Sequence, residues 1–253
     1  MTEVHAKSPG AAPEGTHDTQ SAALAVRQMF DEIAPRYDLL NHVLSANIDR
    51  LWWWKAARAF DHILSRPKAN ILDLCCGTGD MTMALHARRP AGSAPLVAVD
   101  FSHPMLKRGA QKFRGRYANA LAVEADALHM PFASVSLDLV VSAFGFRNLA
   151  DYQAGLEEIA RVLRPAGEIG ILDFSEPKGM LGKLYRFYFK HLLPRIGATL
   201  SGSCGAYTYL PASVEKFPAP QEMLERMRRA GFSHVSWSPY SFGIAGLYRG
   251  SKQ

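Results

Sequence analysis

Between Ile71 and Leu172, short apolar runs alternate with helix-like stretches, and few architectures accept that rhythm. The runs are Ile71–Leu74, Leu96–Val99, Leu121–Val123, Leu139–Val141 and Gly170–Leu172, separated by Asp80–Arg89, Pro104–Arg116 and Tyr152–Leu163. Strands alternating with helices of this length predict βα units with right-handed crossovers around a mainly parallel sheet, an α/β fold. Upstream, Ala22 to about Leu64 has helical spacing (Val26, Met29, Phe30 and Ile33, then Leu39, Leu40, Val43 and Leu44) broken at Pro35. Residues 1–21 are Gly/Ala/Pro-rich and aperiodic, which reads as a disordered tail ahead of one domain over 22–253. Downstream, Gly182 to Leu193 reads as helix, Ala198 to Ala212 as loop and Pro220 to Ala230 as helix. Val235–Trp237 and Ile244–Tyr248 then read as two antiparallel strands at the sheet edge.

Composition narrows the function classes. At 253 residues and 48% hydrophobic, the chain has the material for a sizeable core. Its 29 Lys+Arg against 23 Asp+Glu give +6, too mild and too dispersed to indicate nucleic acid. Three cysteines, with Cys75 and Cys76 adjacent, exclude a disulfide framework and suit a reducing compartment. No apolar run reaches membrane-spanning length, and no signal peptide is evident, so a cytoplasmic location is expected.

The sharpest local feature is Asn70-Ile-Leu-Asp-Leu-Cys-Cys-Gly77-Thr78-Gly79-Asp80, a buried strand entering a Gly-rich turn and a helix. Gly77 and Gly79 allow a tight turn and close backbone approach to a ligand. A phosphate loop is excluded because no Gly-Lys-Ser/Thr follows, and Thr82 stands where a dinucleotide fingerprint needs Gly or Ala. Asp80 would repel a pyrophosphate and suits a cationic cofactor better. Asp100 ends the second strand, about twenty positions on, where an acid takes a ribose diol. Asp126 and the Ala127 backbone follow the third strand, placed for an adenine edge. A nucleoside bearing a positive centre, S-adenosylmethionine, fits these acids best. After the fourth strand, Arg147 and Asn148 face the same crevice as candidate substrate groups.

The chain resembles the quinone C-methyltransferases that act on demethylmenaquinone or on the benzoquinol precursor of ubiquinone. The likeness rests on Met29-Phe-Asp-Glu-Ile-Ala-Pro-Arg-Tyr-Asp38, Leu40-Asn41, Leu44-Ser45 and Arg50-Leu-Trp52. It continues in Leu72 to Asp80, Val99 to Leu106, Phe144-Gly-Phe-Arg-Asn148 and Leu172-Asp-Phe-Ser-Glu-Pro177, covering about Arg27 to Lys252. The Gly motif is generic to class I methyltransferases, whereas the N-terminal block and the Phe-Gly-x-Arg-Asn block are specific. The resemblance implies a doubly wound, mainly parallel seven-stranded Rossmann-like sheet with N-terminal helices and a lid insertion at about 177–217. It implies cofactor contacts from Thr78, Asp100, Asp126 and Ala127, with the N-terminal helix and Tyr37 closing over S-adenosylmethionine; S-adenosylhomocysteine would be the product, with no metal. The family often has a cofactor-contacting Ser before the Phe-Gly pair, where this chain has Ala143.

Methylation of a ring carbon asks for near-attack geometry and dryness, and for an electron-rich quinol. Arg147 is too basic to take a proton; its expected role is to stabilise a developing phenolate while Asn148 orients the second oxygen. His129 is a candidate proton acceptor. A prenylated quinol is the expected partner, and the acid-free stretch between Glu176 and Glu215, with Lys178, Lys183, Arg186, Lys190 and Arg195, suggests a peripheral membrane contact at the inner face of the cell membrane. A homodimer is left open. Methylation of the ubiquinone precursor or of a soluble phenol, and a non-catalytic S-adenosylmethionine-binding scaffold, are the competing readings. A nucleic-acid methyltransferase is disfavoured because no Asn/Asp-Pro-Pro-Tyr base pocket is present.

Overall fold

A computed structural model of the chain describes residues 10, 11, 13, 15–37, 45, 47–114, 119–177, 182 and 205–253. Helix α1 (Thr19–Ile33) starts ahead of the expected tail boundary at residue 21. Asp18, in extended backbone, accepts the Ser21 N–H at 2.6 Å, and Ser21 Oγ accepts the Asp18 N–H at 3.2 Å. This reciprocal box satisfies two donors at the helix end, so residues 19–21 belong to the helix. Further upstream, Ala11 is buried and donates its N–H to the Leu149 carbonyl at 2.7 Å. Helices α2 (Ile48–Arg58) and α3 (Asp61–Leu64) follow.

The alternating region then runs β1 (Ile71–Leu74), α4 (Asp80–His86), β2 (Leu96–Asp100), α5 (His103–Phe113), β3 (Ala120–Glu124), β4 (Leu137–Ala143), α6 (Tyr152–Val162) and β5 (Leu163–Phe174). The last part is α7 (Gly205–Lys216), α8 (Pro220–Arg229), β6 (Phe232–Tyr240) and β7 (Ala245–Lys252). One seven-stranded sheet has the order β3-β2-β1-β4-β5-β7-β6. The first five strands pair in parallel; β7 runs antiparallel between β5 and β6. Strand order reverses between β1 and β4, and that switch point opens a crevice at the strand ends.

Strand alternation sorts the core onto the two faces. Leu72, Leu74 and Val140 pack with Leu156 and Ile159 of α6 and Met223 and Met227 of α8. Ile71, Leu139 and Val141 pack the other way, with Trp52 and Ala56 of α2, Phe60, and Leu85 of α4. Residues 205–212 correct the expected loop: they are helical, with Pro211 inside α7. Burial of Val214 and Phe217 at the end of this segment outweighs its Gly, Ser and Pro content. The expected helix from Gly182 to Leu193 lies outside the described residues apart from Gly182, as do Lys178, Lys183, Arg186, Lys190 and Arg195 and the apolar residues Leu39 to Leu44.

Candidate cofactor and substrate site

A cavity of about 1020 Å³ lies at the carboxyl ends of β1 to β4. Pockets for one drug-sized ligand run to roughly 1,000 Å³ at most, so this one has room for a nucleoside cofactor and a second ring. Of the anticipated residues, Tyr37, Gly77, Thr78, Asp100, Asp126, Ala127, Arg147 and Asn148 all line it. Gly79 does not. It sits at φ +87°, and a Cβ there would lie 2.5 Å from the Phe113 ring, so its need is packing behind the turn.

The acidic end is built from backbone inward. Asp100 closes β2, and its Oδ2 accepts the Gly77 N–H at 2.8 Å while Oδ1 accepts the Ser102 N–H at 2.9 Å. Burial lifts this carboxyl to about 6, against the pull of the amides; Asp31 adds to the rise. An ionised carboxylate has about four acceptor sites, more than its backbone amide partners fill, which leaves capacity for a diol. The residues therefore fit an adenosine ribose. Asp126 Oδ1 accepts the Leu128 N–H at 2.9 Å, which shapes the loop presenting Ala127. Asp80 departs from expectation: Lys112 Nζ lies 3.2 Å from its Oδ1 and 3.0 Å from Thr78 Oγ1, so its charge is already matched. Behind the turn, Asp73 is fully buried, with Oδ2 accepting from Thr82 Oγ1 at 2.5 Å and Oδ1 without a partner among the described residues. Burial raises it to about 7, with Asp100's charge adding to the rise.

Helix α1 covers this end. Ser102 Oγ donates to Asp31 Oδ1 at 2.5 Å, and Arg27 Nη2 reaches Glu124 Oε1 at 2.6 Å. Phe30 and Ile33 face the cavity from it, and Tyr37, just beyond its end, lines the cavity too. His129 lies 3.5 Å from Asp126 Oδ2, so its resolved partner belongs to the nucleoside end and not to the Arg147 group. Burial pushes the Cys75 and Cys76 thiols well up, which suits packing and not nucleophilic chemistry. Among the described residues no three His, Cys, Asp or Glu side chains gather as metal ligands.

The opposite wall is aromatic, with a small polar edge. The Phe144 and Phe174 rings lie 4.7 Å apart, tilted by 37°, and Trp52 lies 5.7 Å from Phe144. Arg147 is buried and passes over Phe174 at 5.2 Å. Its Nη1 donates to Asp173 Oδ1 at 2.9 Å and to the Phe144 carbonyl, and its own N–H donates to Asp173 Oδ2 at 3.1 Å. The Arg147 Nε–H is buried and has no partner among the described residues. Tyr209 donates its hydroxyl to Asn148 Oδ1 at 3.2 Å, which leaves the amide nitrogen as Asn148's donor. Sequence reasoning missed Asp173 and Tyr209. The signal for Asp173 was an acid inside the apolar run Ile171-Leu172-Asp173-Phe174, a costly placement without a cationic partner. Tyr209 carried none, because its neighbours read as loop.

Solved structures place the architecture. A SAM-dependent methyltransferase from Thermotoga maritima superposes with a TM-score of 0.61 at 16% identity, covering 90% of this chain and 100% of that one. The cyclase SpnF superposes at 0.62 with 14% identity, covering 96% and 97%. Such identities establish the fold alone, and a cyclase on it shows that chemistry is set by the site. Fold and acidic nucleoside site together define a class I S-adenosylmethionine-dependent methyltransferase. The model of the ubiE/COQ5 methyltransferase family matches residues 16–252, and the chain belongs to that family. It is 44% identical to the demethylmenaquinone methyltransferase of Deinococcus radiodurans, over 93% of this chain and 96% of that protein. It is 46% identical to the Thermus thermophilus protein of the same name, over 88% and 100%. The ubiquinone/menaquinone biosynthesis C-methyltransferase UbiE of Syntrophotalea carbinolica is 41% identical over 89% and 93%.

Proposed function

We propose that the chain methylates the ring carbon of a demethylmenaquinol, giving menaquinol. The observation that carries this reading is the buried Arg147 guanidinium, oriented by Asp173 on an aromatic wall of the cavity whose other end is acidic. A guanidinium already held in place stabilises a developing phenolate without having to reorganise. The names of the relatives from Deinococcus radiodurans and Thermus thermophilus support the same substrate.

Asp100, Gly77 and Ala127 would hold S-adenosylmethionine, which would supply an electrophilic methyl group; the ring proton that the methyl replaces would be lost to solvent. The chain's own residues prepare the acceptor. Trp52, Phe144 and Phe174 hold a flat ring by offset and edge contacts. Asp173 fixes the Arg147 guanidinium so that its remaining N–H groups meet the oxygen where negative charge develops, making the ring carbon nucleophilic. Asn148, fixed by Tyr209, donates to the second oxygen. Burial of these groups excludes water from the reacting face.

The test is turnover with a reduced, short-tailed demethylnaphthoquinol, following S-adenosylhomocysteine and the methylated ring by mass spectrometry. Equal yields of both support the reading. S-adenosylmethionine binding with no methylated product would leave the scaffold reading instead. The benzoquinol precursor of ubiquinone is the second substrate to run, since the Syntrophotalea carbinolica relative's name carries both quinones.

A further inference from the structure

Helix α2 turns the wrong chemistry outward for a helix bathed only in water. Its inner side buries Trp52, Ala56 and Ala57, as an amphipathic helix should. Its outer side carries Ile48, Leu51 and Trp54, which are 43%, 47% and 45% exposed. Arg50, Lys55 and Arg58 are exposed beside them, and the helix's one acid, Asp49, is buried. Scattered exposed leucines need no explanation, but three large apolar residues at consecutive turns do, and the cations beside them outnumber the one half-exposed acid nearby, Asp61, which Arg88 pairs.

A second element extends the same face. Phe242 is 88% exposed at φ +59°, in the left-handed region that bulky residues avoid. Two side-chain hydrogen bonds hold that turn: Trp52 Nε1 donates to Ser241 Oγ at 2.8 Å, and Ser175 Oγ donates to the Gly243 carbonyl at 2.8 Å. The first ties the Phe242 turn directly to α2. Lys55 lies over the Tyr240 ring at 5.6 Å, and Arg58 over Trp54 at 5.2 Å, so cations and aromatics interleave across the patch. Ile48, Trp52, Ser241 and Ile244 also line the large cavity. The patch is therefore the rim of the substrate half.

We infer that the face formed by Ile48, Leu51, Trp54 and Phe242 docks on an anionic lipid bilayer, so that a prenylated quinol passes from the acyl region into the cavity. This rests on the quinol reading above and adds to it the surface from which the substrate is drawn. Apolar side chains enter the boundary between headgroups and acyl chains, while Arg50, Lys55 and Arg58 meet lipid phosphates. The exposed Trp54 with its stacked arginine has the amphipathic character favoured at that depth.

The experiment is vesicle co-sedimentation of the full chain and of the Leu51→Ser, Trp54→Ser, Phe242→Ser triple variant. None of the three lines the cavity, so the variant's turnover of a short-tailed, water-soluble quinol should match the parent's, which reports separately on the proposed reaction. The parent should pellet with phosphatidylglycerol-containing vesicles and far less with pure phosphatidylcholine. The variant's partition should fall about tenfold or more, and its turnover of a long-tailed quinol held in vesicles should fall with it. Equal pelleting of parent and variant, or no pelleting of the parent, would overturn the inference. So would a parent dimer in sedimentation velocity that the triple variant dissociates, because a second copy would then be the occupant.

Discussion

Asp173 grips Arg147 twice, once through the guanidinium at 2.9 Å and once through the backbone N–H at 3.1 Å. The strand end of β5 therefore sets both the position and the charge state of this cavity-lining loop residue. Both members are almost completely buried, so neither has water to replace the other.

Asp173→Asn should leave the guanidinium buried and uncompensated. Removing one partner of a buried pair costs about 3–5 kcal/mol, which denaturant unfolding would register. Arg147→Lys keeps the charge but loses the planar fork, and should lower turnover far more than it lowers S-adenosylmethionine affinity. Near-normal turnover in that variant would make Arg147 a structural residue.

Asp100→Ala should weaken S-adenosylmethionine binding about tenfold or more, the loss of one charge-assisted pair of hydrogen bonds. Because burial lifts this carboxyl to about 6, cofactor affinity should weaken as pH falls through 6 and the acceptor takes up a proton. Calorimetry from pH 5 to 8 checks both points. An unchanged affinity in the variant would move the ribose elsewhere.

Asp73 lies near 7 in the folded chain against an ordinary value of 3.8. Between those values the folded state keeps a proton that the unfolded state has lost, so stability contributed by protonated Asp73 falls as pH rises from about 4 to about 7. Above that range the loss is complete. Asp73→Asn should remove this part of the slope, making the variant gain on the parent from pH 5 to 7 and no further. Parallel melting curves with a constant gap at every pH would count against it.

Gly79→Ala would put a side chain at φ +87° and its Cβ into the Phe113 ring. The expected cost is about 1–3 kcal/mol for the backbone, with more from the clash. Adding Phe113→Leu should recover the clash alone. A double variant as stable as the parent would show that the backbone conformation carries no strain.

The sheet was legible because its central strands are short, mainly apolar runs, and their ends carried the acids that face the cavity. Asp100 and Asp126 could be named from position along the chain alone. Asp173 could not, since its meaning depends on Arg147, 26 residues away in sequence. The helix at Gly205–Lys216 was hidden for a related reason: its stability comes from burial against the body, and its composition argues the other way. Asp80 shows the reverse error. Read alone it is a bare negative charge, but Lys112 from α5 occupies it.

The ties that hold α1 down have a bearing on how the two ligands come and go. Arg27 and Glu124 are each about two-fifths exposed, at 41% and 39%, and pairs of that kind are worth about 1 kcal/mol at most. The same helix also fully buries Val26, and Asp31 holds Ser102, so the surface pair is the weakest of its attachments. Opening the acidic end at α1 would therefore expose apolar core as well as break a surface ion pair, a cost that the salt bridge alone does not show.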